Sequence, residues 1–182
     1  MQYEVDYTHP KEVYTKVYLR RREVPITDLI DLSANWEKYM YDVDEMSQEE
    51  LREYLAEDSF YLEGAICVQS FGRNILSFMH WDLVDQLWSY FVQSLEKLLL
   101  EGEKSASFHF PDQPLKVEFS YLKRKFTLII EERKTFVISE RGMSEFLQKG
   151  REFMSRIEAV KKVPKEGSEV ARFDRVLAKL NR

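Results

Sequence analysis

Apolar and polar side chains alternate over Val13-Tyr14-Thr15-Lys16-Val17-Tyr18-Leu19-Arg20. Val13, Val17 and Leu19 fall on one side and Tyr14, Lys16, Tyr18 and Arg20 on the other, which predicts a strand with one solvated face. Residues 26–32 read as a second strand. Ser47-Gln48-Glu49-Glu50 is a capping box: the Ser hydroxyl accepts from a free helix amide while Glu50 reaches back. The helix it opens runs to about Glu57, with Leu51, Tyr54 and Leu55 inward. Residues 60–69 and 75–80 read as strands joined by the turn Phe71-Gly72-Arg73-Asn74.

The most regular pattern begins at Asp82. Leu83, Val84, Leu87, Trp88, Phe91, Val92, Leu95, Leu98 and Leu99 recur in steps of three and four, one broad stripe of an amphipathic helix; Gly102 stops it. Strands follow over residues 104–110, through the alternation of Leu115, Val117, Phe119 and Tyr121, and over 126–130 and 135–139. The turn Pro111-Asp112-Gln113-Pro114 and the basic bend Lys123-Arg124-Lys125 join them into a meander. Residues 143–160 form a second long helix with Met143, Phe146, Leu147, Gly150, Phe153, Met154, Ile157 and Val160 on one side. Pro164 and Gly167 interrupt the pattern. Ser168 then caps a short helix whose Val170, Phe173, Leu177 and Leu180 point inward. Hairpins rather than crossovers indicate an α+β fold: a mainly antiparallel sheet of hairpins and a meander, two long helices on one face and a short C-terminal helix. Residues 1–163 are expected to be one domain, and 164–182 a helical tail that docks on it or on a partner.

Composition narrows the functional classes. The chain has 182 residues, with 27 basic and 32 acidic side chains and a net charge of −5. Its 12 Phe, 10 Tyr and 3 Trp supply a core without any staple, since a chain of this size buries roughly 70% of its unfolded surface. No apolar run approaches the roughly 18 residues of a membrane helix, and Met1-Gln2-Tyr3-Glu4-Val5-Asp6 lacks the basic head and apolar middle of a signal peptide. The single Cys67 cannot form an internal disulfide, which fits the cytoplasm. Six glycines leave little for a phosphate cradle.

The charge is uneven. Residues 37–63 hold ten acids (Glu37, Asp42, Asp44, Glu45, Glu49, Glu50, Glu53, Glu57, Asp58, Glu63) against Lys38 and Arg52, a net −8. Glu49, Glu53 and Glu57 form one ridge of the capped helix. Each like-charge pair costs about 0.2–0.5 kcal/mol, which a solvated face tolerates without a function. As a functional surface, the stretch repels nucleic acid and steers a basic protein toward Trp36, Tyr39, Tyr41, Asp42, Asp44, Glu45, Glu49, Glu53 and Glu57.

Other chemistry has competing structural explanations. His80-Trp81-Asp82 and His109-Phe110-Pro111-Asp112 place imidazole near carboxylate, and together could hold a metal or supply an acid and a base. Equally, Asp82 caps the long helix and Asp112 serves its turn. Asp42-Val43-Asp44 begins like a calcium loop with Glu53 at its twelfth position, but Met46 and Ser47 stand where an oxygen ligand and a glycine are needed. Cys67 lies in an apolar strand and reads as a small hydrophobe. Arg20-Arg21-Arg22, Lys123-Arg124-Lys125 and the basic tail, with Tyr14 and Tyr18 for stacking, suggest nucleic acid; a pI near 5.4 argues against it.

Two segments, Trp81-Asp82-Leu83-Val84-Asp85-Gln86-Leu87-Trp88-Ser89-Tyr90 and Phe110-Pro111-Asp112-Gln113-Pro114, resemble segments of small bacterial proteins that have no assigned activity. The resemblance covers about the middle third of the chain and brings no functional residue with it. Physically it implies a clasp, with Asp85 and Gln86 tying the helix to the turn. In class alone, the chain is similar to small acidic α+β proteins that neutralise bacterial toxins. The leading expectation is therefore a non-enzymatic cytosolic immunity or inhibitor protein that occludes a basic partner, with no cofactor, no metal and no membrane. The alternatives are a small enzyme or metal-binding protein using His80, Asp82, His109 and Asp112, and a structural subunit that dimerises through the C-terminal helix.

Overall fold

A computed structural model describes residues 11–57, 61–131 and 134–181. The amino-terminal residues 1–10, Asp58 and Phe60, the expected start of a strand, lie outside these. The alternating segment forms β1 (Val13–Arg20), antiparallel to β2 (Met40–Asp42) on one side and β3 (Glu63–Ser70) on the other. β4 (Arg73–Leu76) and the two-residue β5 (Asp82–Leu83) share the far edge of β3. The expected meander is a second sheet, in the order β6 (Ser105–His109), β7 (Lys116–Leu122), β8 (Lys125–Ile130) and β9 (Lys134–Ser139). The fold is α+β, its antiparallel strands divided between two sheets.

Two long helices join the sheets. α4 (Val84–Leu99) touches β3, β5, β6 and β7, and α5 (Glu140–Lys161) touches β1, β8 and β9. One core results, in which Val17, Leu19 and Ile66 meet Val117, Phe119 and Phe126 across Trp88, Phe91, Phe146 and Phe153. Close approach of the helices depends on Gly150, where an added Cβ would overlap the Trp88 ring and crowd Phe173. Phe173, Val176, Leu177 and Leu180 of α6 (Glu169–Leu180) are buried against α4 and α5, and Arg172 and Arg175 pair with Glu96 of α4. The tail's apolar stripe is therefore covered by its own chain, which leaves no such stripe for the expected dimer contact.

Three sequence expectations change. Residues 26–32 are not a strand: Asp28 accepts hydrogen bonds from the Ile30 amide at 2.7 Å and the Asp31 amide at 3.3 Å, capping α1 (Leu29–Ala34). α2 (Trp36–Tyr39) follows it. Together they cover the other face of the first sheet with a second core of Tyr18, Leu32, Tyr39, Met40, Ala65, Cys67 and Phe78. The face of β1 expected to be solvated is thus dry at Tyr18, whose ring lies 4.8 Å from both Trp36 and Phe78. Last, β4 stops at Leu76, where Ser77 caps a single 3-10 turn over Phe78–His80. α3 (Gln48–Glu57) sits where the capping box placed it. Among the described residues, no helix is long and apolar enough to cross a membrane.

Candidate functional site: an acidic groove beside α3

The acidic stretch divides into a neutralised part and an open part. Tyr39 is only 3% exposed and Trp36 is half-buried on Phe78, so neither stands free as an anchor. Asp42 is buried and accepts from Lys16 at 2.5 Å, and it also takes the Asp44 amide at 3.0 Å. Asp44 pairs with Lys149 of α5. Glu49 pairs with Arg52 one turn along α3. Burial thus corrects the expectation that Tyr39 and Asp42 face a partner, and Asp42, Asp44, Glu49 and Glu63 already have cations of their own.

The loop before α3 is held from α5. The Arg156 guanidinium donates to the Val43 and Met46 carbonyls, both at 2.6 Å, and the Gln48 side chain donates to the Arg156 carbonyl at 3.1 Å. Its planar fork satisfies two carbonyls at once, which a lysine cannot do in the same geometry. The capping box closes as expected: the Ser47 amide donates to Glu50 at 2.7 Å, and the Glu50 amide to the Ser47 hydroxyl at 3.2 Å. The Ser47 amide and hydroxyl hold the Glu50 carboxyl below its ordinary range. Glu45 and Glu53 are exposed and form no ion pair among the described residues. Glu57 ends α3, and its side chain lies outside the described ones.

A groove of about 280 Å³ opens between this helix and the loop after β1. Tyr41, Met46 and Tyr54 wall it; Glu23, Glu50, Glu53 and Arg22 rim it. Guanidinium stacking already occurs there: Arg21 lies 3.9 Å over Tyr41, and Arg22 4.1 Å over Tyr54. Arg22 also donates to the Tyr54 carbonyl, and the Tyr54 hydroxyl donates to the Arg20 carbonyl, each at 3.0 Å. Burial pushes the Tyr54 phenol up to about 12, so it stays a neutral donor. The groove thus combines aromatic walls with excess negative charge. Sequence reasoning found Tyr41 and Glu53 but missed Arg22, Glu23 and Met46, because only the β1–β2 pairing brings residues 22–23 beside 41–54.

The His/Asp set serves the fold at its buried members. His80 is buried, and its Nδ1 accepts the Ser77 amide at 3.0 Å. Burial, and secondarily the charge of Lys134, lower its pKa. Asp82 does not cap α4, whose N-cap is Leu83. Its carboxylate instead accepts the Asp112 amide at 3.1 Å and the Leu83 amide at 2.7 Å, and the Gln113 side chain donates to the Trp81 carbonyl. This is the clasp between the two resembling segments, built by Asp82 and Gln113 rather than by Asp85 and Gln86. Burial raises the Asp82 carboxyl. His109 and Asp112 are exposed. No group of three or more His, Cys, Asp or Glu among the described residues could hold a metal ion.

Two further expectations meet their surroundings. Cys67 is buried and its thiol pushed up to about 12 by burial, so it is not a nucleophile at neutral pH. For nucleic acid, Tyr18 is enclosed in the second core, Arg20 pairs with Glu63 at 2.7 Å and Arg124 with Glu140, which removes much of the proposed stacking and phosphate contact. No family model, no curated protein and no solved structure matches the chain.

Proposed function

We infer that the chain is a non-enzymatic cytoplasmic binding protein of the immunity or inhibitor kind, which occludes a basic protein partner with the groove beside α3. The observation that carries this reading is the coincidence of apolar walls and net negative rim in one concave place. Tyr41, Met46 and Tyr54 offer the aromatic and sulfur contact that binding interfaces concentrate. Glu23, Glu50 and Glu53 outnumber Arg22 on the rim, so cations are attracted and nucleic acid repelled. The contact centres on Tyr41, Glu45 and Glu53, with the already paired Asp44 and Glu49 at its margin. Inhibition is steric block with charge complementarity, and needs no metal, cofactor or membrane.

The test is titration of a short arginine-rich peptide at low ionic strength. Reversing Glu23 and Glu53 to Lys is expected to weaken binding by at least roughly tenfold, about 1.4 kcal/mol. Reversing Glu101 and Glu103, exposed at the far end of α4, changes net charge equally and should leave most of the affinity. Equal losses from the two double variants would reduce the groove to a share of overall charge, and the reading would fail.

A further inference from the structure

The β3–β4 turn carries an expensive residue at its tip. Phe71 has φ +47° and Gly72 φ +75°, the backbone of a tight hairpin turn in which Asn, Asp or Gly is the low-cost first residue. A non-glycine side chain there is strained. Phe71 recovers little of that strain by packing, since 80% of it is exposed. The tip is braced, Gln69 donating to Asn74 at 2.8 Å across the hairpin. Beside the ring stands Arg73, exposed although its guanidinium lies 5.5 Å over the Phe136 ring of β9. The chain thus presents an aromatic knob and a guanidinium on one projecting turn.

Its complement lies on the same chain, out of its own reach. Val13 pairs with Ser70 at the tip end of β1, whereas the groove begins beyond Arg20 at the other end. Eight residues of strand separate them, about 26 Å at 3.3 Å per residue. The groove offers about 280 Å³ beside the guanidiniums of Arg21 and Arg22 that stack on Tyr41 and Tyr54, and Glu23, Glu50 and Glu53 outnumber those two cations. We propose that the Phe71-Gly72-Arg73 tip of one copy docks in the groove of a second copy, Phe71 against Tyr41, Met46 and Tyr54, and Arg73 toward Glu50 and Glu53. Donor and acceptor surfaces differ, so the contact is heterologous and repeats head to tail. It rests on the reading of the groove as a site for basic partners, and regulates it: a partner and a second copy compete for one place.

Sedimentation velocity of the full chain across a concentration series tests this. In low salt the sedimentation coefficient is expected to rise with concentration, and the rise to vanish in high salt. Phe71→Asn and Glu53→Lys should each stay monomeric. Mixed, they should recover one-to-one association, because one keeps the groove and the other the tip. A wild type that stays monomeric throughout, or association that Phe71→Asn leaves intact, overturns the proposal. The arginine-rich peptide, titrated into Phe71→Asn, separates the two ideas. Peptide binding without wild-type self-association removes only the second-copy contact, whereas absence of peptide binding removes the groove reading itself.

Discussion

At Gly150 a single hydrogen decides how closely α4, α5 and α6 meet. Gly150→Ala puts a methyl group into the Trp88 ring, an overpacking expected to cost about 1–3 kcal/mol, read as a lowered urea midpoint with unchanged slope. His80 sets a pH dependence. Its folded pKa lies below its ordinary 6.5, so the unfolded chain takes up a proton that the folded chain refuses. Stability therefore falls as pH drops through 6.5 and levels off only below the folded value. In His80→Asn the slope over that interval should disappear, as urea melts on either side of pH 6.5 can show; an undiminished slope would assign it to other groups. Phe71→Asn is expected to act in the opposite sense to most substitutions and raise stability by about 1 kcal/mol.

At the scale of elements, legibility followed sequence distance. α4, α5 and the meander carried their periods openly, and the α3 capping box closed because all its parts lie within four residues. Ser47→Ala should accordingly cost about 1 kcal/mol, measurable by chemical denaturation. Residues 26–32 misled because a short apolar run of Ile26, Leu29, Ile30 and Leu32 does not separate strand from helix by periodicity; the deciding signal was Asp28 in front of it. The cations that neutralise the acidic loop were not legible. Lys16 lies 26 positions from Asp42, and Lys149 lies 105 from Asp44, distances that only the fold closes. The clasp falls between these cases: its two segments are recognisable as partners in the sequence, but the side chains that join them are Asp82 and Gln113.

For the whole molecule, the consequence is a surface more selective than its charge. With Asp42, Asp44 and Glu49 paired internally, the proposed function requires association to depend on place as well as on salt, with the groove rather than the whole acidic segment as its centre. The tail helix, enclosed in the core, makes the body one unit, and its loss would expose Phe173's neighbours on α4 and α5. The most direct measurement of the central claim is an NMR titration of the folded protein with the arginine-rich peptide. The account predicts shift changes concentrated on Tyr41, Met46, Glu53 and Tyr54, with His80, Asp82 and His109 unmoved. Shifts scattered over all exposed acids, or gathered around His80 and Asp82 instead, would contradict it.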